Sequence, residues 1–171
     1  MNTAYATTKV PIVQSIEEIR VMIMKHGGVG FRYTQVLDGI TIEWGWTKGG
    51  QNFLAKLPMR FDYKPTHKQF GQWVPLTESQ KEQEQRTKVR SLMYYLKATY
   101  DAIDKGIVLQ EQAFMGDLVM RLPNGSTSRV IDALLPQIAS GQRVNVSQLM
   151  LAEAPEAEIV TDPETLRRFR K

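Results

Sequence analysis

Phe31-Arg32-Tyr33-Thr34, Ile40-Thr41-Ile42-Glu43-Trp44 and Phe53-Leu54-Ala55-Lys56-Leu57 decide the fold. In each, apolar and polar residues alternate with a period of two, which suits a strand with one covered face. Asp38-Gly39 separates the first two and reads as a hairpin turn, and Lys48-Gly49-Gly50 separates the second and third. The pattern predicts a three-stranded antiparallel meander over residues 29–63, resuming at Arg60-Phe61-Asp62-Tyr63. Pro58 has no N–H for a ladder, so it marks a strand end, an edge or a bulge.

Helical spacing flanks the meander. Ser15-Ile16-Glu17-Glu18 has capping-box spacing, Ile16, Ile19 and Ile23 follow on one face, and Gly27-Gly28 closes the element. This predicts a helix over 15–26. Residues 64–76, with Pro65 and Pro75, read as a loop. Thr77-Glu78-Ser79-Gln80 is a second capping box, opening a long helix to about Lys105 with Val89, Leu92, Leu96, Tyr100 and Ile103 on one face. Its first three turns, Gln80 to Lys88, lack that face and so meet solvent or a polar partner. A short helix near 109–114, an apolar stretch over 118–122 and the turn Pro123-Asn124-Gly125 come next. A last helix carries Ile131, Leu134, Leu135 and Ile138, bent or ended by Pro136. The expected class is α+β: an N-terminal helix, a three-stranded antiparallel meander, a long helix and shorter C-terminal helices. The expected organisation is a loose lead (1–14), one domain (15–150) and a flexible C-terminal tail (151–171), acidic over Ala152 to Glu158 and basic over Arg167 to Lys171.

The chain has 171 residues, enough for one domain with a modest core, and a net charge of +4. That is a mild lean toward anionic partners. Without cysteine there are no disulfides, thiolate metal sites or cysteine nucleophiles. The N-terminus lacks the basic-then-apolar order of a signal peptide, and no apolar run approaches the ~18 residues of a membrane helix. The expectation is a cytoplasmic protein without membrane association.

Between 44 and 73, Trp44, Trp46, Phe53, Phe61, Tyr63, Phe70 and Trp73 interleave with Lys48, Lys56, Arg60, Lys64 and Lys68, with Asp62 the sole acid. Bases stack on aromatic faces while cations neutralise phosphates, so this combination suits single-stranded nucleic acid. Trp44, Trp46 and Trp73 are the candidate stacking residues, with Lys48, Lys56 and Arg60 on phosphates. In the alternative the aromatics fill the core, and Phe53 and Phe61 are assigned there. Trp44 and Trp46 share a strand face and so are exposed or buried together. On the long helix, Arg86, Arg90 and Lys97 lie within about 40° of one another at ~100° per residue and extend the candidate phosphate contacts. The bland reading is a solvated flank, with Glu82 four residues before Arg86.

Enzymatic signals are weaker. His26 at a helix end and His67 in a loop do not have metal-ligand spacing, and the glycines at 27, 28 and 30 follow a helix instead of opening one. No residue pattern asks for a cofactor. A Mg²⁺-dependent nuclease would need Glu17 or Glu18, Asp38 or Glu43, and Asp62 with Lys64 to converge. A third class is protein binding: Met22, Met24, Met59, Met93, Met115, Met120 and Met150 suit adaptable interfaces, though most of them are expected to fill the core. The polar start of the long helix is a candidate arm for a partner or a second copy of the chain.

Arg90-Ser91-Leu92-Met93, Leu96-Lys97-Ala98, Ala102 and Gly106, followed by Leu122-Pro123-Asn124-Gly125 and Leu135-Pro136-Gln137-Ile138, form a set. It resembles an uncharacterised family of small phage and prophage proteins, over roughly residues 15 to 145. Asn124 stands where that family's turn carries Asp. The resemblance implies a phage accessory context, in the host cytoplasm, and no mechanism. The sequence therefore favours a non-enzymatic nucleic-acid-binding accessory protein. Its alternative is a protein that binds and inhibits or remodels a host protein.

Overall fold

A computed structural model describes residues 7–61, 66–69, 72–122, 124–141 and 150–151. Helix α1 (Ile12–Lys25) leads into β1 (Gly28–Val36), β2 (Gly39–Lys48) and β3 (Gln51–Arg60), an antiparallel sheet in the order β1-β2-β3. The hairpin β4 (Thr66–Gln69) and β5 (Gln72–Pro75) forms a sheet of its own. The long helix α2 (Glu78–Asp104), the one-turn α3 (Gln110–Ala113) and a 3₁₀ turn (Met115–Asp117) follow. Then come β6 (Val119–Arg121), β7 (Thr127–Arg129), α4 (Val130–Ala139) and β8 (Met150–Leu151), the strands ordered β7-β6-β8. The α+β architecture matches the sequence pattern.

The meander forms where the alternation places it. Gly49 and Gly50 both take positive φ, which lets two residues reverse the chain between Lys48 and Gln51. Pro58 lies within β3 opposite Thr41; among the described residues β3 forms a ladder with β2 and meets Leu118 at a single bridge from Ala55, so Pro58 lies on an edge strand, where a missing N–H is tolerated. At Gly39 an added Cβ would stand 2.5 Å from the Met59 carbonyl oxygen, so the strands close only over glycine there.

Three local expectations are corrected. Helix α1 begins at Ile12 with Pro11 as its N-cap, a turn earlier than the Ser15 capping box implies. Ser15 is instead buried with its hydroxyl unpaired, and Glu18 reaches across to Arg90. The stretch at 64–76 is not all loop, because Thr66–Gln69 pairs with Gln72–Pro75. Pro136 sits inside α4 without ending it. The capping box of Thr77 and Gln80 on α2 forms in full. Residues 152–171, where the tail is expected, lie outside the described residues.

Helices α1 and α2 run in the same direction over one face of the sheet. Arg90 meets Glu18 at 2.7 Å along their length, and His26 meets Asp104 at their ends. Ile16, Ile19 and Ile23 of α1, Val89, Leu92, Leu96 and Tyr100 of α2, and Ile40, Ile42, Trp44 and Trp46 of β2 close the core. Phe114 joins these parts. Its ring contacts Trp44 edge-on at 5.1 Å, Tyr100 at 5.5 Å and Trp46 at 6.2 Å, and is fully buried. Truncating Phe114 removes a ring that touches sheet and long helix together. Phe114→Ala is expected to cost about 3–5 kcal/mol in urea unfolding, in the range of buried aromatic truncations. Gly39→Ala should also lower the unfolding midpoint, by forcing β2 away from β3.

Candidate functional site

The two meander tryptophans are not a ledge for bases. Trp44 is 1% exposed and Trp46 2%. Their shared strand face is the one that α1, α2 and Phe114 cover. This corrects the expectation that they stack on nucleic acid: burying both rings against the helices stabilises the fold more than an open sheet face would allow. Trp46 stacks on Phe53 at 5.3 Å. Phe53 and Phe61 are core residues, as the sequence suggests. The Trp44 indole N–H and the Tyr100 hydroxyl face each other in this interior without a well-formed hydrogen bond, and burial pushes the Tyr100 phenol well above its ordinary range.

Most of the expected phosphate contacts already hold acids. Lys48 pairs with Glu111 at 2.8 Å, Lys56 with Glu43 at 3.4 Å, Arg86 with Glu82 at 3.0 Å and Arg90 with Glu18 at 2.7 Å. Arg90 also lies over the Tyr94 ring at 5.1 Å. Arg60 is exposed at the end of β3, and Lys97 is exposed on α2. The nine candidates therefore do not form one surface. Trp44 and Trp46 are interior, Lys48, Lys56 and Arg60 are spread along the sheet, and Arg86, Arg90 and Lys97 follow α2. Trp73 lies on the separate hairpin, in register with Lys68.

The side of the sheet away from the helices carries a charged row. Arg32, Glu43 and Lys56 are neighbours across β1, β2 and β3. Glu43 is buried between the two cations and bonded to both. Burial alone would raise its carboxyl; Arg32 and then Lys56 outweigh this and hold it below the usual range. The nuclease constellation is not assembled by this arrangement. Glu43 is on that row, Glu17 and Glu18 are on α1 bonded to Arg20 and Arg90, and Asp38 is in the β1–β2 turn. Asp62 and Lys64 lie outside the described residues. Among the described residues no three acids or histidines gather as metal ligands.

The feature that sequence reading missed is at α4. Its sequence, Val130-Ile131-Asp132-Ala133-Leu134-Leu135-Pro136-Gln137-Ile138-Ala139, is mostly apolar, yet none of these residues is buried. Ile131, Leu135 and Ile138, at helical spacing i, i+4 and i+7, are 38%, 57% and 61% exposed. Met115, also exposed, lies on the neighbouring 3₁₀ turn, where the next residue, Gly116, would bring a Cβ within 3.7 Å of Ile131. The helix is held at its base. Arg129 donates to Asp132 at 2.7 and 2.8 Å and to Asp117 at 3.0 Å. Burial outweighs Arg129 at Asp117 and raises its carboxyl, whereas Arg129 lowers that of Asp132. The periodicity was visible in the sequence; the lack of a cover was not.

No known family, curated protein or solved structure matches the chain.

The Glu43 row gives a pH dependence with a definite sign. A carboxyl held low in the fold contributes stability above its unfolded value of about 4.3 and loses it as pH falls through the folded value. Wild type should unfold at a higher urea concentration than Glu43→Gln at pH 7, and the gap between the two midpoints should narrow as pH falls below the usual carboxylate range.

Proposed function

We infer that the protein is a binding module that holds a partner protein through the exposed apolar face of α4. The observation that carries this reading is the stripe Ile131, Leu135 and Ile138, on a largely apolar helix anchored by Arg129 whose Val130, Ala133 and Leu134 are half-buried while this second apolar face is turned to water. Such a stripe is what a partner's hydrophobic groove accepts, by anchors at i, i+4 and i+7. In the phage context that the resemblance implies, the partner is a host protein. The neutralisation of Lys48, Lys56, Arg86 and Arg90 by nearby acids supports a protein partner over a polyanion.

The test is capture of a host protein by the wild-type chain after nuclease treatment, compared with Leu135→Glu and Ile138→Glu. Both positions are exposed, so both variants should fold with unchanged circular dichroism and lose capture by tenfold or more. Capture that survives both substitutions, or that nuclease abolishes, overturns the assignment to α4.

One observation favours a second reading. Among the described residues the β4–β5 hairpin forms a sheet of its own, and its backbone register sets residue Lys68 opposite residue Trp73. A ribbon with a cation and an indole in register suits a single strand of nucleic acid. On this reading, single-stranded oligonucleotide quenches tryptophan emission at low salt, the effect fades steeply with salt, and Trp73→Ala abolishes it. A flat titration at low salt rejects it.

A further inference from the structure

Helices α1 and α2 enclose a groove that has no part in the α4 face. Its volume is about 550 Å³, within the ~300–1,000 Å³ of small-molecule clefts. Two side-chain bridges close it. Glu18 and Arg90 meet at one end at 2.7 Å, and His26 and Asp104 meet at the other at 3.0 Å. Along α1 these ends are about 12 Å apart. Between them lies an apolar floor of buried Met93 and half-buried Met22 and Tyr94, with exposed Val21 on the rim. Thioethers adapt their shape to a guest and make favourable contacts with aromatic rings. Arg90 lies over the Tyr94 ring at 5.1 Å and steadies it.

Charge decides what suits this floor. Four carboxylates line the groove, and each already has a basic partner: Glu17 has Arg20, Glu18 has Arg90, Asp101 has Lys105 and Asp104 has His26. Lys25 of α1 and Lys97 of α2 line it too, and neither has a hydrogen-bond or ion-pair partner among the described residues. One unanswered cation from each helix thus stands beside an apolar surface. A peptide or nucleic-acid strand following the groove would have to cross a bridge at either end, whereas a compact molecule lies between them.

We propose that this groove binds a small aromatic anion, a carboxylate or sulfonate. Its apolar body lies on Met22, Met93 and Tyr94, and its charged head is held by Lys25 and Lys97.

The probe is anilinonaphthalene sulfonate, titrated against the folded full-length chain and followed by its emission. It should bind saturably, with a Kd on the order of tens of micromolar for a ligand of its size. Phenylnaphthylamine, which lacks the sulfonate, should bind at least tenfold more weakly. Lys25→Glu combined with Lys97→Glu should weaken the anion at least tenfold. Both lysines are exposed and unpaired, so circular dichroism should not change. Leu135→Glu should leave the Kd within about twofold, which sets the groove apart from the α4 face. No saturable binding, equal affinity for the uncharged dye, or an unchanged Kd in the lysine variant overturns the proposal. So does loss of all binding in Leu135→Glu, which puts the dye on α4. A Kd that weakens as protein concentration rises also overturns it, because a second copy of the chain then covers the groove. Dye binding and capture of a host protein are separate readouts, so either inference can fail without the other.

Discussion

The packing of Phe114 into the rings of Trp44, Trp46 and Tyr100 is the contact on which the rest of the structure depends. Edge-on and tilted aromatic pairs add about 0.5–1.5 kcal/mol each beyond the area they bury. Here they also tie three distant parts of the chain. Trp44 and Trp46 belong to the central strand, Tyr100 to the last turns of the long helix, and Phe114 to the short connection that leads into β6. His26 continues the stack, its ring 4.4 Å from that of Tyr100 and its nitrogens facing the Met22 carbonyl and the Asp104 carboxylate. With the sheet, both helices and the entry to the β6–β7–α4 unit fixed on one aromatic column, α4 is held in a defined place although its own residues are at most half-buried.

Much of this was legible in the residues. The alternation over 31–57, the paired glycines at 49–50 and the Thr77–Gln80 box depend on local chemistry, and each formed as local chemistry predicts. What was not legible depends on partners far along the chain. A period of two says that Trp44 and Trp46 share a face; only the placement of Tyr100 and Phe114, 56 and 70 residues beyond Trp44, says that this face is closed. The same holds for charge. Arg90 reads as free until Glu18, 72 residues away, is set beside it, and Lys48 until Glu111, 63 residues away, joins it. Ser15 looked like a cap because its neighbours fit the motif, but the isoleucines beside it were better satisfied by an earlier helix start that draws it into the core.

Charge and apolarity therefore trade places between sequence and structure. The sequence presents cations as the conspicuous surface element and α4 as one more helix with a core face. In the fold most cations on sheet and long helix are answered by carboxylates, and α4 leaves an aliphatic face exposed. Arg129 shows how the two are combined: one guanidinium fixes Asp117 and Asp132, so the base of α4 is rigid in its polar contacts while its length is available.

Because α1 and α2 lie side by side in the same direction, the chain between them must return the full length of the molecule, and the meander makes that return. Helix α1 thus has its seat built by segments as late as Asp104 and Phe114. At roughly 5–20 residues per second, the isoleucine face of α1 waits several seconds before its neighbours exist. Until they do, that apolar face has no core to close on.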